Sequence, residues 1–144
     1  MPNEECFGVI PVRHKGTEWE VLLVKHNKGH WSFPKGHPSP NETPFQIAER
    51  ELLEETGLSV VKFLHREPFI ERYTYEKEGT PIEKMVSYFL AEVSENVHLL
   101  DKELCDYQWT SFDEAYNQIT FDQARRICSK AQSLLSACKN EVND

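Results

Sequence analysis

The sequence has little of what marks membrane, secreted or nucleic-acid-coating proteins. Its 144 residues contain no apolar run near the roughly 20 residues that a membrane helix needs. The four cysteines are irregularly spaced without a Cys-x-x-Cys pair, so the sequence predicts neither a zinc site nor a disulfide framework. Residues 1–5 carry no basic segment typical of a secretion signal. We therefore expect a cytoplasmic protein without membrane association.

Basic residues are also scarce. Lys and Arg number 16 against 24 Asp and Glu, giving a net charge of −8, which argues against a broad surface that neutralises the phosphates of long nucleic acids. A polyanionic substrate would need cations recruited locally, which favours a divalent metal ion. The length fits one domain with a single core over residues 1–144.

The apolar pattern predicts strands on both sides of one amphipathic helix. Residues 6–12 and 21–24 have strand character, and Pro11 suggests an edge or a bulge in the first of them. Over residues 43–56, apolar side chains recur at helical spacing. Thr43 is placed to cap this helix, with Pro44 in its first turn. Gly57 is placed to end it in a left-handed conformation.

The second half of the sequence predicts two long antiparallel strands and two helices. The strands cover residues 63–75 and 85–93, with a turn at residues 78–81. A short strand is expected at residues 107–110. Ser111 and Glu114 have the spacing of a capping box for a following helix. Thr120 is placed to cap a C-terminal helix.

Three acidic residues of the first helix indicate a metal site. Glu51, Glu54 and Glu55 stand at i, i+3 and i+4, which puts their carboxylates on one helical face within about 5–6 Å of one another. Like charges there repel unless a cation bridges them, and hard divalent ions prefer oxygen ligands. Arg50 can bind a neighbouring carboxylate and fix its rotamer. A solvated acidic face is the alternative, but Glu42 and the glycine-containing loop before the helix favour metal binding.

The segment from Gly36 to Leu58 resembles the Nudix box, G-x5-E-x7-R-E-U-x-E-E-x-G-U with U aliphatic, at every specified position. The matching residues are Gly36, Glu42, Arg50, Glu51, Leu52, Glu54, Glu55, Gly57 and Leu58. The resemblance implies an α/β fold, an α/β/α sandwich around a mixed β-sheet. It also implies Mg²⁺-dependent hydrolysis of a nucleoside diphosphate linked to another group, and whether Mn²⁺ substitutes stays open at this point. Glu51 and Glu55 would bind the metal, and Glu54 would be a ligand or the general base.

Outside the box the chain is similar to the family branch that hydrolyses diadenosine tetraphosphate (Ap4A) to ATP and AMP. This resemblance implies that Glu103 is a distal catalytic carboxylate and metal ligand, and that Arg50 belongs to the catalytic group. It implies phosphate contacts from Lys35, His37 and Lys84, and adenine stacking by Tyr75 and Phe121. Pro38 and Pro40 depart from the branch, which puts the preferred substrate length in question.

Two further functions stay open at this point. One is another Nudix pyrophosphohydrolase, acting on a nucleoside triphosphate, a nucleotide sugar or an RNA 5′ end. The other is a non-catalytic domain that senses nucleotides, although the intact set of box carboxylates speaks against it. In each case we expect a monomer whose partner is a small nucleotide.

Overall fold

The computed structural model describes the backbone of residues 3–143 and the side chains of residues 3–137, so the Cys138 side chain lies outside the described part. The elements are β1 (Glu4–Lys15), β2 (Glu18–His26), β3 (Trp31–Ser32), β4 (Lys35–Gly36), α1 (Pro44–Thr56), β5 (Val60–Phe63), β6 (Phe69–Lys77), β7 (Thr80–Val93), β8 (Leu104–Ser111), α2 (Phe112–Gln118) and α3 (Asp122–Asn143). No helix in the described part of the chain is long and apolar enough to cross a membrane.

The strands form one mixed sheet in which β1 and β7 are the central pair. These two strands run parallel, whereas the remaining pairings are antiparallel. The main order is β3-β2-β1-β7-β5, with β4 paired to β1, β6 to β7 and β8 to β2. A parallel pair requires a long crossover connection. Here that connection contains α1, which packs on β1 and β7.

Apolar side chains on the two faces of the sheet build two separate cores. Alternate strand residues point to opposite faces, so Val9 and Leu22 pack with Leu52 of α1. Ile10 and Leu23 pack instead against the face that α2 and α3 cover. Helices therefore lie on both faces, and the α/β/α sandwich with a mixed sheet is confirmed.

The local signals around α1 act as predicted. The Thr43 hydroxyl accepts a hydrogen bond from the Gln46 backbone N–H, and the Gln46 side chain accepts one from the Thr43 N–H, which completes a capping box. Pro44 occupies the first turn. Gly57 ends the helix at φ 73°, a conformation in which glycine carries no Cβ penalty. These caps fix where the acidic face of α1 begins and ends.

The strand predicted over residues 63–75 is wrong as a single element. It consists of β5 and β6, which pair with different parts of β7, and residues 64–68 interrupt it. Pro68, which lacks a backbone N–H, lies in this interruption. The predicted turn is confirmed in a shorter form: Glu78 and Gly79 both have positive φ, 52° and 80°. Pro81 already belongs to β7, opposite Glu76.

Three smaller predictions need correction. Pro11 lies in a central strand, not at an edge, and it falls where β1 changes partner from β4 to β2. Ser111 caps α2, but the Glu114 carboxylate accepts from the Thr110 hydroxyl instead of completing a capping box. Thr120 does not cap α3, because its hydroxyl accepts from the Trp31 N–H. The first hydrogen bond of α3 instead reaches the Phe121 carbonyl.

Candidate active site

Gly36 of β4 lies directly against the carboxylate of Glu51. A Cβ at residue 36 would overlap the Glu51 carboxylate group, so a side chain here would force that carboxylate away. The contact is possible because β4 pairs with β1 beside α1. The backbone of Gly36 therefore packs directly against the Glu51 carboxylate, which is largely buried.

Glu55, one helical turn further on, is the most buried acidic side chain of α1. Its carboxylate accepts a hydrogen bond of 3.2 Å from the Lys35 backbone N–H. Burial, together with the nearby Glu51 and Asp101 carboxylates, raises the pKa of Glu55 to about 8. Burial likewise raises the pKa of Glu51, although the hydrogen bond from Arg50 opposes the shift. Burial thus disfavours the charged form of both neighbouring carboxylates, Glu51 and Glu55.

Arg50 ties the loop before α1 to the acidic face of the helix. Its Nε–H is shared between both Glu42 oxygens, at 3.0 and 2.9 Å. The guanidinium also donates to Glu51 at 2.8 Å, to Glu54 at 3.1 Å and to the His37 carbonyl at 2.9 Å. The expected hydrogen bond from Arg50 to the neighbouring Glu51 carboxylate is present, and the motif residue Glu42 binds the same guanidinium from the loop.

The donor set fits a divalent cation. Glu51 and Glu55 offer hard oxygen ligands, and their mutual repulsion and burial are the features that a bound cation would relieve. Glu54 is more than half exposed and faces Arg50. Within the described part of the chain, the ligand oxygens of Glu51, Glu54 and Glu55 do not all lie within 4.8 Å of one another. Glu51 and Glu55 are therefore the residues best placed to hold the metal.

Asp101 is an acidic neighbour of Glu55 that the sequence did not single out. The segment before it caps the end of α1, because the His98 and Leu100 N–H groups donate to the Thr56 and Glu55 carbonyls. Asp101 is thereby brought close enough to raise the pKa of Glu55. Glu103, two residues on, is exposed, and its carboxylate makes no hydrogen bond with any described residue, whereas its N–H bonds Asp101.

A cavity of about 320 Å³ borders β4, the strand whose Lys35 N–H bonds Glu55. Tyr75 and Phe121, the two predicted adenine-stacking residues, both line this cavity. Tyr75 lies in β6, and Phe121 directly precedes α3. The His30 ring also lines it, tilted against Phe121 with centroids 5.5 Å apart. Lys35 lines the same cavity, and its backbone holds Glu55. Lys35 of β4 therefore contacts both the aromatic cavity and the acidic helix.

Glu71 is a second residue that sequence reasoning missed. It lines the cavity, is buried, and lies 3.9 Å from the Lys35 ammonium. The Tyr88 hydroxyl donates to its carboxylate, and burial raises the pKa of Glu71. The alternation of Phe69, Glu71 and Tyr73 along β6 was the available signal, because it places the glutamate among inward-facing residues.

The two remaining predicted phosphate contacts, Lys84 and His37, meet the Tyr75 hydroxyl at Glu4. Its carboxylate accepts from the Tyr75 hydroxyl at 2.6 Å and lies 3.2 Å from the Lys84 ammonium and 3.4 Å from the His37 ring. Cys6 completes a group with Glu4 and His37 whose ligand atoms lie within 4.8 Å of one another. The Lys84 ammonium already supplies the cation there, so the group is an ion-pair cluster and not a metal site.

These features together define the family. The NUDIX domain family model matches residues 2–131, and the chain belongs to the Nudix hydrolases, a family that uses divalent metal ions. It is 33% identical to the asymmetrical bis(5′-nucleosyl)-tetraphosphatase of Rattus norvegicus, over 94% of this chain and 97% of that protein. It is also similar to mRNA-decapping enzyme subunit 2 of Arabidopsis thaliana, 38% identical over 67% of this chain but 26% of that one. The crystal structure of a C. elegans Ap4A hydrolase binary complex superposes with a TM-score of 0.73 and 25% identity, over 93% of this chain and 98% of that chain.

The raised pKa of Glu55 predicts a pH-dependent stability in the absence of metal. The folded state keeps a proton that the unfolded state releases above its ordinary pKa, so Glu55 lowers the free energy of unfolding as pH rises from about 4.5 to about 8. We expect wild type in EDTA to lose on the order of a few kcal/mol more than Glu55→Gln across this window. Urea unfolding at each pH measures the difference. Parallel profiles for the two proteins would contradict the burial of this carboxyl group.

Proposed function

We propose that this protein hydrolyses the dinucleoside polyphosphate Ap4A to ATP and AMP with Mg²⁺, for which Mn²⁺ can substitute. The observation that carries the proposal is the position of Lys35. Its N–H bonds the box carboxylate of Glu55, while its side chain enters the cavity lined by Tyr75 and Phe121. A base in that cavity would have its phosphates directed towards the metal ligands. The similarity to an asymmetrical tetraphosphatase over nearly the whole chain supports this choice.

Glu51 and Glu55 are the proposed metal ligands, with Glu54 and Glu103 as further candidates. When bound, the metal supplies positive charge that neutralises phosphate oxygens in the transition state. Arg50 keeps the carboxylates oriented through its hydrogen bonds to Glu51 and Glu54. Gly36 leaves room for this arrangement, and Gly57 ends the helix immediately after it.

Other residues of the chain bind the substrate and accept the proton. Lys35, Lys84 and His37 provide cationic or donor groups for phosphate oxygens, and Tyr75 and Phe121 stack on an adenine. Glu54 or Glu103 accepts the proton of the attacking water, since both are exposed carboxylates. Glu54 lies on the acidic face, and the Glu103 N–H bonds Asp101, the acidic neighbour of Glu55. A monomeric, cytoplasmic enzyme composed of one domain, residues 1–144, remains a prediction.

Hydrolysis in ¹⁸O-labelled water tests the reaction directly. Incubation with Mg²⁺ and Ap4A should give labelled AMP and unlabelled ATP, because water attacks the phosphorus next to one adenosine. Mass spectrometry identifies both products. Turnover of capped RNA or a nucleoside triphosphate, with none of Ap4A, would keep the Nudix chemistry but reject this substrate. Nucleotide binding without any product would favour a sensor.

Replacing the candidate bases tests their role. Glu54→Gln or Glu103→Gln should lower kcat by about 10²–10⁴ if that residue accepts the proton, the usual scale for losing a general base. The larger loss identifies the base. Glu49→Gln is the matched control, because Glu49 is exposed on α1 and should leave kcat unchanged. Losses below about tenfold for both glutamates would refute the assignment.

Removing the proposed stacking ring should affect binding more than chemistry. Tyr75→Ala is expected to raise KM for Ap4A roughly tenfold with a smaller change in kcat, because stacking contributes about 1–3 kcal/mol per base. Tyr75→Phe keeps the ring and should retain most of the affinity. Tyr116→Ala, an exposed tyrosine of α2, is the control. An unchanged KM for Tyr75→Ala would place the base elsewhere.

A further inference from the structure

Glu4 already binds three of the groups assigned to the substrate. Its Oε2 accepts from the Tyr75 hydroxyl at 2.6 Å, and its Oε1 lies 3.2 Å from Lys84 Nζ and 3.4 Å from His37 Nε2. A phenol, an ammonium and an imidazole around one carboxylate are the donors that would surround a phosphate group. The carboxylate therefore stands where such an anion would be bound.

The pairing of β1 with β7 holds Glu4 in this position. Glu4 lies opposite Lys84 in the parallel register. The strand start is fastened by Asn3, whose N–H donates to the Glu83 carbonyl and whose side-chain carbonyl accepts from the Glu83 N–H. Both charged side chains are mostly buried, with 22% of Glu4 and 14% of Lys84 exposed. Among the described side chains, Glu4 is the only ion-pair partner of Lys84.

The charge on Glu4 persists at any working pH. The hydrogen bond from Tyr75, together with Lys84 and His37, lowers the pKa of Glu4 to about 2 although burial opposes the shift. The Tyr75 hydroxyl has one proton to donate and gives it to Glu4. A ligand phosphate can use that donor only if Glu4 releases it.

We propose that Glu4 is an internal substitute for a substrate phosphate, and that a polyphosphate binds by displacing its carboxylate from Tyr75, Lys84 and His37. The phosphate-binding roles of Lys84 and His37 rest on the proposed function, and the Tyr75 hydroxyl is an additional donor on a residue whose ring stacks on an adenine there. Because the carboxylate is tethered, it competes at high effective concentration. An anion that binds only these three groups cannot displace the carboxylate. A ligand that also binds the metal and the aromatic cavity gains enough binding free energy to do so. Glu4 thus determines specificity by raising the threshold for binding.

Glu4→Gln tests the proposal, because glutamine keeps the shape and an acceptor oxygen but removes the charge. We expect the Kd of ATP, measured calorimetrically in EDTA, to fall about three- to tenfold, as loss of one nearby negative charge predicts. KM for Ap4A should fall similarly, with kcat within about twofold. A merely structural glutamate would give the opposite sign, because its loss would disorder Lys84 and Tyr75 and weaken binding.

Glu5→Gln is the matched control. It removes the same charge one residue along β1, but Glu5 is exposed and points to the opposite face of the strand. ATP affinity should not change. Glu4→Asp provides a second variant that retains the charge but is one methylene too short to hold Tyr75 and Lys84 together, so its ATP affinity should lie between wild type and Glu4→Gln.

Weaker or unchanged ATP binding in Glu4→Gln, or ATP binding in Glu4→Asp weaker than in wild type, would overturn the proposal. Its failure is distinguishable from failure of the proposed function. If Glu4→Gln binds ATP more tightly but neither wild type nor any variant hydrolyses Ap4A, the proposed substrate is rejected. The proposal that a polyphosphate displaces the Glu4 carboxylate is then retained. Normal Ap4A turnover with unchanged ATP affinity would do the reverse.

Discussion

Arg50 is the residue on which the arrangement of the acidic face depends. One guanidinium bonds Glu42 in the loop, the His37 carbonyl, and the helix carboxylates of Glu51 and Glu54. Arg50 thus joins the loop between β4 and α1 to the acidic side of the helix, in addition to the hydrogen bond from the Lys35 N–H of β4 to Glu55. The guanidinium also offsets part of the repulsion among the carboxylates, although Glu55 lies beyond its hydrogen bonds.

Repulsion between Glu55 and its acidic neighbours, which Arg50 does not relieve, is the feature that favours cation binding here. Glu55 is buried, and within the described part of the chain its carboxylate accepts a hydrogen bond only from the Lys35 N–H. Glu51 and Asp101 lie close enough to raise its pKa. A cation placed among these oxygens would be attracted by charges that the fold has partly desolvated, so its interactions would be less screened than at a surface. Lys35 of the same β4 segment also lines the aromatic cavity. The proposed metal site and the proposed nucleotide site therefore lie on either side of this strand.

Local signals predicted α1 completely, because caps and helical periodicity are encoded within neighbouring residues. Thr43, Pro44 and Gly57 act as their positions suggest. The box motif likewise predicted the acidic face, since all its members lie on one loop and one helix. Sequence spacing could not predict that residues 60–77 divide into β5 and β6, because both strands pair with β7 at separate places and tertiary pairing decides the break.

The residues missed by sequence reasoning are those assembled by long-range contacts. Glu4 meets Lys84 only because β1 and β7 pair in parallel, and no local pattern specifies that register. Asp101 reaches Glu55 because the chain after β7 folds back over the end of α1. Glu71 could have been suspected from strand alternation, but its contact with Lys35 required the sheet. The three glutamate or aspartate side chains that complete the site therefore come from outside the motif.

If Glu51 and Glu55 form a divalent metal site, calorimetric titration of Mg²⁺ should show saturable binding by wild type and by Glu49→Gln. The Glu51→Gln/Glu55→Gln double variant should lose that binding while its circular dichroism stays unchanged. Binding of wild-type strength in the folded double variant would contradict this assignment.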